Sequence, residues 1–124
     1  MNTKLVGVAC ALVSSIAVAQ DVGEITVLAT RTAKTTSRIS GGIPVVDASL
    51  SYGVSYADLD LASHAGAMEL EKRVHKAAMA ACKEIAKQVP DSTPSVEDCA
   101  ANAEGKAMVK VRELEAAAAK KAAK

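Results

Sequence analysis

The side chains that could do chemistry are concentrated in residues 54–82, VSYADLDLASHAGAMELEKRVHKAAMAAC. Asp58 and Asp60 are two residues apart, so on a strand they face the same side and could offer oxygen ligands to a hard cation such as calcium. His64 follows four residues later and could add a third ligand. A calcium site needs more oxygen ligands than this segment offers. The alternative is structural: the two carboxylates contact free amides at the start of a helix, or a nearby Arg or Lys.

The histidines do not predict a second metal site. His64 and His75 are eleven residues apart, about 16 Å along a helix, which is too far to share one ion. Glu71 and His75 lie one helical turn apart, but no further ligand follows at helical spacing and the HExxH pattern is missing. We expect Glu71 and His75 to form a solvated charge pair.

The cysteines do not indicate catalysis. Cys82 would act as a nucleophile only as a free thiol beside a base, and the presence of Cys99 argues against a free thiol. The chain also contains no CxxC, no GxSxG and no phosphate-binding glycine loop. These observations predict a protein that is not an enzyme and that needs no cofactor.

Residues 1–19 have the pattern of a secretory signal peptide. One positive charge at Lys4 precedes a charge-free run that closes on small residues before Gln20. The run of about fifteen residues is too short to cross a bilayer, so we expect cleavage between Ala19 and Gln20. The mature chain is then expected to be periplasmic or secreted, with no membrane span.

Removal of residues 1–19 leaves Cys82 and Cys99, which in an oxidising compartment predict one disulfide. Removing Lys4 also lowers the 15 basic residues to 14, equal to the 14 acidic ones. The only aromatic residues are two tyrosines. A nucleic-acid partner is therefore not expected, because such proteins have a basic patch and often aromatic stacking surfaces. The expected partner is an unidentified protein.

The N-terminal part of the mature chain, residues 20–51, is rich in Thr, Ser and Gly, and we expect it to be flexible. Residues 30–42 show neither a helical nor a strand period and predict a linker. The runs EITVLA and IPVVDAS on either side of this linker favour β structure, as edge strands or as extended chain. Apolar and aromatic residues then predict a strand from Gly53 to Leu59.

Two amphipathic helices are predicted after the strand. Ser63 is well placed as an N-cap, and apolar residues recur at three- and four-residue steps from His64 to Gln88. A second helix begins after a capping sequence at Ser95 and extends to about Leu114. The tail at residues 116–124 is rich in Ala and Lys and should continue this helix with frayed ends.

The cysteine positions favour an antiparallel arrangement of these helices. Cys82 lies about 9 Å before the end of the first helix, and Cys99 lies about 6 Å into the second. A six-residue turn then brings the sulfur atoms to nearly the same level, and a bridge closing about 18 residues should contribute about 3 kcal/mol. The predicted fold class is α+β, mainly α: a short strand region followed by an antiparallel two-helix hairpin held by one disulfide.

Several motifs between Val54 and Val111 have a distinctive order and spacing: YADLDL at 56–61, Ser63-x-x-Gly66, then Leu70, Arg73, Val74, Ala77, Ala78 and the pair Cys82 and Cys99. Together they resemble the UrcA family, small exported bacterial proteins of unknown biochemical function. The resemblance defines an UrcA-like domain at residues 52–115. It implies export, a disulfide and the two-helix arrangement, and it supplies no catalytic residues. Family members often have proline where this chain has His64.

The segment EITVLATR, residues 24–31, is similar to the TonB-box region near the start of outer-membrane TonB-dependent receptors. In that region an extended peptide pairs with the edge of a sheet. The similarity suggests peptide docking to a periplasmic partner through Ile25 to Ala29. The alternative is an ordinary β-prone segment.

Three functional hypotheses follow from the sequence. The first is a small exported noncatalytic protein that acts as a periplasmic binding or envelope-associated component. The second is capture of a metal ion or small ligand through Asp58, Asp60 and His64. The third is docking of residues 24–31 to a periplasmic partner.

Overall fold

The computed structural model describes residues 23–34 and 45–124. Its elements are the strands β1 (Glu24–Lys34) and β2 (Val45–Ser55) and the helices α1 (His64–Gln88) and α2 (Val96–Ala122). The strands form a two-stranded antiparallel sheet, and the two helices pack against it as a hairpin. This arrangement confirms the predicted fold class. The predicted signal peptide, with its cleavage site at Ala19 and Gln20, lies outside the described residues.

Alternation along β1 decides which face of the sheet is buried. The odd-numbered residues from Ile25 to Ala33 face the helices and are all buried, whereas Thr26, Leu28 and Thr30 are exposed. The antiparallel register places β2 residues of the same orientation beside them, for example Val54 beside Ile25. Both strands therefore present one face to the core and the other to solvent.

The sheet extends further than the sequence indicated. Thr30–Lys34 belongs to β1, so the predicted linker at 30–42 is wrong over these five residues, and 35–42 lies outside the described residues. Residues 45–51 were predicted to be flexible but belong to β2, so the β structure predicted for the run IPVVDAS is confirmed over residues 45–49. The hydroxyl groups of Thr30 and Ser49 are hydrogen-bonded at 3.1 Å across the strands. Cross-strand pairs of this kind stabilise a sheet although their side chains are polar.

The strand predicted from Gly53 to Leu59 is displaced. β2 ends at Ser55, and the chain then turns: the N–H of Leu59 donates to the carbonyl of Tyr56 at 3.0 Å. Residues 57–59 belong to this turn and not to a strand.

Both helices begin at the predicted caps. The Ser63 hydroxyl accepts a hydrogen bond from the N–H of Gly66 at 3.0 Å, and the Ser95 hydroxyl accepts from Asp98 at 3.2 Å. α1 ends at Gln88 as predicted, and α2 continues past Leu114 to Ala122, as predicted for the Ala- and Lys-rich tail. Leu114 and Ala118 are half-buried against the core, so the apolar face of α2 extends one turn beyond the predicted limit.

The disulfide between Cys82 and Cys99 lies inside the core. Their Cα atoms are 6.0 Å apart, and their exposed fractions are 0% and 2%. The buried residues around the helix contact are mainly small: Ala78, Ala81, Ala100, Ala103 and Ala107. Small side chains allow the two helix backbones to approach closely, as a disulfide requires. The predicted pairing is confirmed.

Within residues 23–34 and 45–124, no helix is both long enough and apolar enough to cross a membrane.

A buried arginine joins the sheet to the connection between the helices. Arg31, 5% exposed, donates from Nε to the carbonyl of Pro94 at 2.9 Å and from Nη2 to the carbonyl of Ser92 at 2.7 Å. Its neighbour Thr32 exchanges two backbone hydrogen bonds with Thr93, at 2.7 and 2.8 Å. The polar residue on the core face of β1 thus supplies donors that the loop between α1 and α2 would otherwise lack.

Replacing this arginine should destabilise the protein. In Arg31→Met the apolar length is kept but the carbonyls of Ser92 and Pro94 lose their donors, so we expect the free energy of unfolding to fall by about 2 to 4 kcal/mol. Urea denaturation followed by circular dichroism measures this change. The control is Arg112→Met on the exposed surface of α2, which should change stability by less than about 0.5 kcal/mol. Equal losses in the two variants would show that the Arg31 hydrogen bonds do not hold the loop.

Candidate functional site

The connection between β2 and α1, residues 56–63, carries the two aspartates that the sequence singled out, Asp58 and Asp60. The N–H of Tyr56 donates to the carbonyl of Gly23 at 2.7 Å, and Ser63 donates to the carbonyl of Asp60 from both its N–H and its hydroxyl. Gly66 lies so close to this carbonyl that a Cβ at its position would collide with it. Hydrogen bonds and this close contact therefore hold the connection in one conformation.

Asp58 is paired with Arg73 rather than left free for a ligand. The guanidinium donates two hydrogen bonds to the carboxylate, Nη1 to Oδ1 and Nη2 to Oδ2, each at 2.8 Å. Arg73 also donates to the carbonyl of Ser55 at 3.0 Å and to Glu69 at 3.2 Å. The hydrogen bonds from Arg73, with backbone hydrogen bonding, lower the pKa of Asp58 from 3.8 to about 2. The same pairing with Asp58, and then Glu69, raises the pKa of Arg73.

Asp60 and His64 do not complete a metal site with Asp58. Oδ1 of Asp60 accepts from the N–H of Ala62 at 3.1 Å, and the Asp60 carbonyl accepts from Ser63, so this aspartate shapes the turn before α1. His64 lies exposed at the first position of α1. In the described part of the chain, no three His, Cys, Asp or Glu side chains are placed to hold one metal ion. Both aspartates thus make the structural contacts given as the alternative to a metal site. Asp58 contacts a nearby arginine, and Asp60 contacts a backbone amide just before α1.

His75 has a different partner from the one predicted. Its Nδ1 lies 2.8 Å from Oε2 of Glu104 on α2, and not beside Glu71 on its own helix. The antiparallel packing of α1 and α2 brings Glu104 to this position, which helical spacing within α1 could not reveal. The pair is solvent-exposed, as expected, but it joins the two helices.

Residues 24–31 form most of β1. Ile25, Val27 and Ala29 are 4%, 0% and 0% exposed and pack in the core. A partner could take up these side chains only if β1 left the sheet. In this structure the segment is a strand of the protein's own sheet.

Among the described residues, one part of the surface has the shape of a binding site, a cleft that the sequence did not indicate. It has a volume of about 650 Å³ and lies between residues 56–62 and the last turns of α2; we call it the loop–helix cleft. Alanine and leucine side chains make up most of its lining. Two side chains on its wall are charged at neutral pH, Asp60 from the connection and Lys121 from α2.

The chemistry of the loop–helix cleft is that of a receptor for an apolar group. Tyr56 and Leu59 supply one wall, and Leu114 and Ala117 supply the other. Apolar walls with a small number of polar groups are typical of ligand sites, in which the polar groups fix the orientation. The spacing of Leu114, Ala117, Ala118 and Lys121 along α2 is the sequence signal that could have indicated this surface.

The chain matches no protein-family model, no curated protein and no solved structure. Its function is therefore inferred from its residues and their geometry.

The pKa of Asp58 gives a direct test of the Arg73 contact. Because the folded pKa of about 2 lies below the ordinary value of 3.8, the pair contributes stability above pH 3.8, and this contribution is lost as the pH falls toward 2. NMR titration of the Asp58 carboxyl in Arg73→Gln should show its pKa rising toward 3.8. The matched control Arg112→Gln should leave the titration unchanged. An Asp58 pKa near 3.8 in the unmodified protein would contradict the pairing.

Proposed function

We propose that the protein is a small exported noncatalytic binding component of the bacterial periplasm or envelope, and that the loop–helix cleft holds its ligand. The observation that carries the proposal is the cleft itself, about 650 Å³ of space that is lined mostly by alanine and leucine residues and whose loop wall is held by hydrogen bonds. A wall that is already ordered loses little conformational entropy when a ligand binds.

The charges of the cleft suggest the class of ligand. The carboxylate of Asp60 already accepts a hydrogen bond from the backbone of Ala62, whereas Lys121 has no ion-pair partner among the described residues. Lys121 can therefore receive an anionic group. The best fit is an amphipathic molecule with an apolar body and an anionic group, or a partner segment of the same chemistry.

Export is supported by two features of the chain. Residues 1–19 have the charge and size pattern of a signal peptide, and the disulfide joins the two cysteines that remain after its removal. Disulfides persist in oxidising compartments and are rare in the cytosol. The resemblance of residues 54–111 to the UrcA family agrees with export and with a noncatalytic role.

Anilinonaphthalene sulfonate is a suitable first probe because it joins an aromatic body to an anionic sulfonate. We expect its fluorescence to rise on binding the chain that begins at Gln20, and Ala117→Glu to weaken this binding at least tenfold by placing a negative charge in the cleft. The matched control is Ala119→Glu, which adds the same charge to an exposed position of α2 outside the cleft lining.

Equal affinities in the two variants would exclude the cleft as the site. Export is checked separately, on protein recovered from bacteria that express the full chain. Its intact mass should correspond to a chain beginning at Gln20 and two hydrogens lighter than the reduced form. A full-length, reduced chain in the cytoplasmic fraction would contradict export without affecting the cleft result.

A further inference from the structure

The outer edge of β2 has a row of backbone groups that point away from the sheet. Thr32 uses both its N–H and its carbonyl to pair with Thr93, so these two groups point away from β2. The N–H and carbonyl of its register partner Asp47 therefore point away from β1. Because this orientation alternates, Asp47, Ser49, Ser51 and Gly53 all direct N–H and C=O outward. In the described part of the chain these groups have no backbone partner. We call these four residues the β2 edge.

In the ranges that the structure describes, the opposite edge of the sheet is paired at one residue, Thr32. Thr93 pairs with Thr32, and α2 packs against β1 but not against β2. The helical layer is therefore displaced toward β1. This displacement leaves the β2 side chains on the helix-facing side of the sheet less buried than those of β1. Val27 of β1 is fully buried, whereas Val46 and Tyr52 of β2 are 50% and 38% exposed.

The sequence of β2 lacks the devices that usually prevent pairing at an open edge. The strand is 11 residues long and contains no lysine, no proline and one charged residue, Asp47. Edge strands of soluble proteins are usually shorter, or carry lysine, proline or a bulge. A two-stranded sheet is also smaller than most sheets in proteins. The β2 edge is thus open to pairing with another strand.

We propose that the β2 edge binds the β2 edge of a second copy of this chain, giving a symmetric dimer with a four-stranded antiparallel sheet in the order β1, β2, β2, β1. The twofold axis passes beside Leu50 and perpendicular to the sheet, so both helical hairpins lie on the same face. In this register Asp47, Ser49, Ser51 and Gly53 of each copy can all form hydrogen bonds with the other.

The strand is complementary to itself in this register. On the face that meets the helices, Leu50 lies opposite Leu50, Val46 opposite Val54, and Ala48 opposite Tyr52. On the solvent face, Ser49 lies opposite Ser51 and Asp47 lies opposite Gly53, which has no side chain. Apolar residues meet apolar residues and serine meets serine, and the exposed parts of Val46 and Tyr52 become covered.

One like-charge approach occurs in this arrangement. The Glu24 side chain lies over Gly53 in its own copy, and Asp47 of the second copy approaches the same place. These carboxylates are on the solvent face, so salt screens their repulsion. We therefore expect the dimer to form more readily at about 150 mM salt than at about 10 mM, where the Debye length is roughly three to four times longer.

Sedimentation equilibrium of the chain that begins at Gln20 tests the proposal, at about 150 mM salt and over a range of protein concentrations. The variant Ser49→Lys with Ser51→Lys places lysine opposite lysine in the proposed register, and we expect its dimer to dissociate at least tenfold more readily. The variant Ser49→Glu with Ser51→Lys places glutamate opposite lysine and should dimerise at least as well as the unmodified chain.

The matched control is Thr26→Lys with Leu28→Lys, which adds the same charge to the same solvent face on β1, away from the β2 edge. It should retain the dimer. Circular dichroism of each variant shows whether it is folded. A chain that stays monomeric at millimolar concentration overturns the proposal, and so does a dimer that both lysine-pair variants weaken equally.

Discussion

The fold depends on the Cys82–Cys99 disulfide, which cross-links two helices inside the core. The faces of α1 and α2 that meet are largely alanine, and alanine removes little apolar area from water. The same small side chains allow the backbones to come within the 6.0 Å Cα separation of Cys82 and Cys99. The small side chains on the facing surfaces therefore allow both the close packing of the helices and the disulfide between them.

The sheet is attached to this helical pair by polar contacts as well as by its apolar face. Arg31 and Thr32 bind the connection between α1 and α2 at one end of the molecule. At the other end, Arg73 joins α1 to Asp58 and to the carbonyl of Ser55. The contacts of Arg73 position residues 56–62, and thereby the loop wall of the proposed ligand site.

The helices could be predicted from the sequence because the signals that specify them lie within each helix or next to it. Ser63 and Ser95 are caps, and the apolar stripes and cysteine spacing specify an antiparallel pair. The sheet was underestimated because its evidence is long-range. Thr30 is polar and, taken alone, favours a linker, because its hydrogen bond to Ser49 is visible only in the folded chain. Arg31 interrupts the apolar alternation of β1, and its partners, the carbonyls of Ser92 and Pro94, are likewise visible only in the folded chain.

The proposed site was missed in the sequence for a similar reason, because only its α2 wall has a recognisable spacing. Asp58 and Asp60 attract notice as a pair of carboxylates, yet one is bound by Arg73 and the other by the turn that it shapes. The cleft is formed by residues about 60 positions apart, such as Tyr56 and Ala117, whose types indicate no chemistry when each is read alone. The surfaces proposed to bind a ligand and a second copy are shape and edge features, which only the folded chain shows.

The most direct measurement of the central claim is the stability of the chain with and without its disulfide. The variant Cys82→Ala with Cys99→Ala should lose about 3 kcal/mol of unfolding free energy in urea, because the bridge closes a loop across a sequence separation of 17. In the unmodified protein both buried sulfur atoms should resist reductant until denaturant is added. Coincident unfolding curves for the two proteins, or free thiols at both positions in the native protein, would contradict the account.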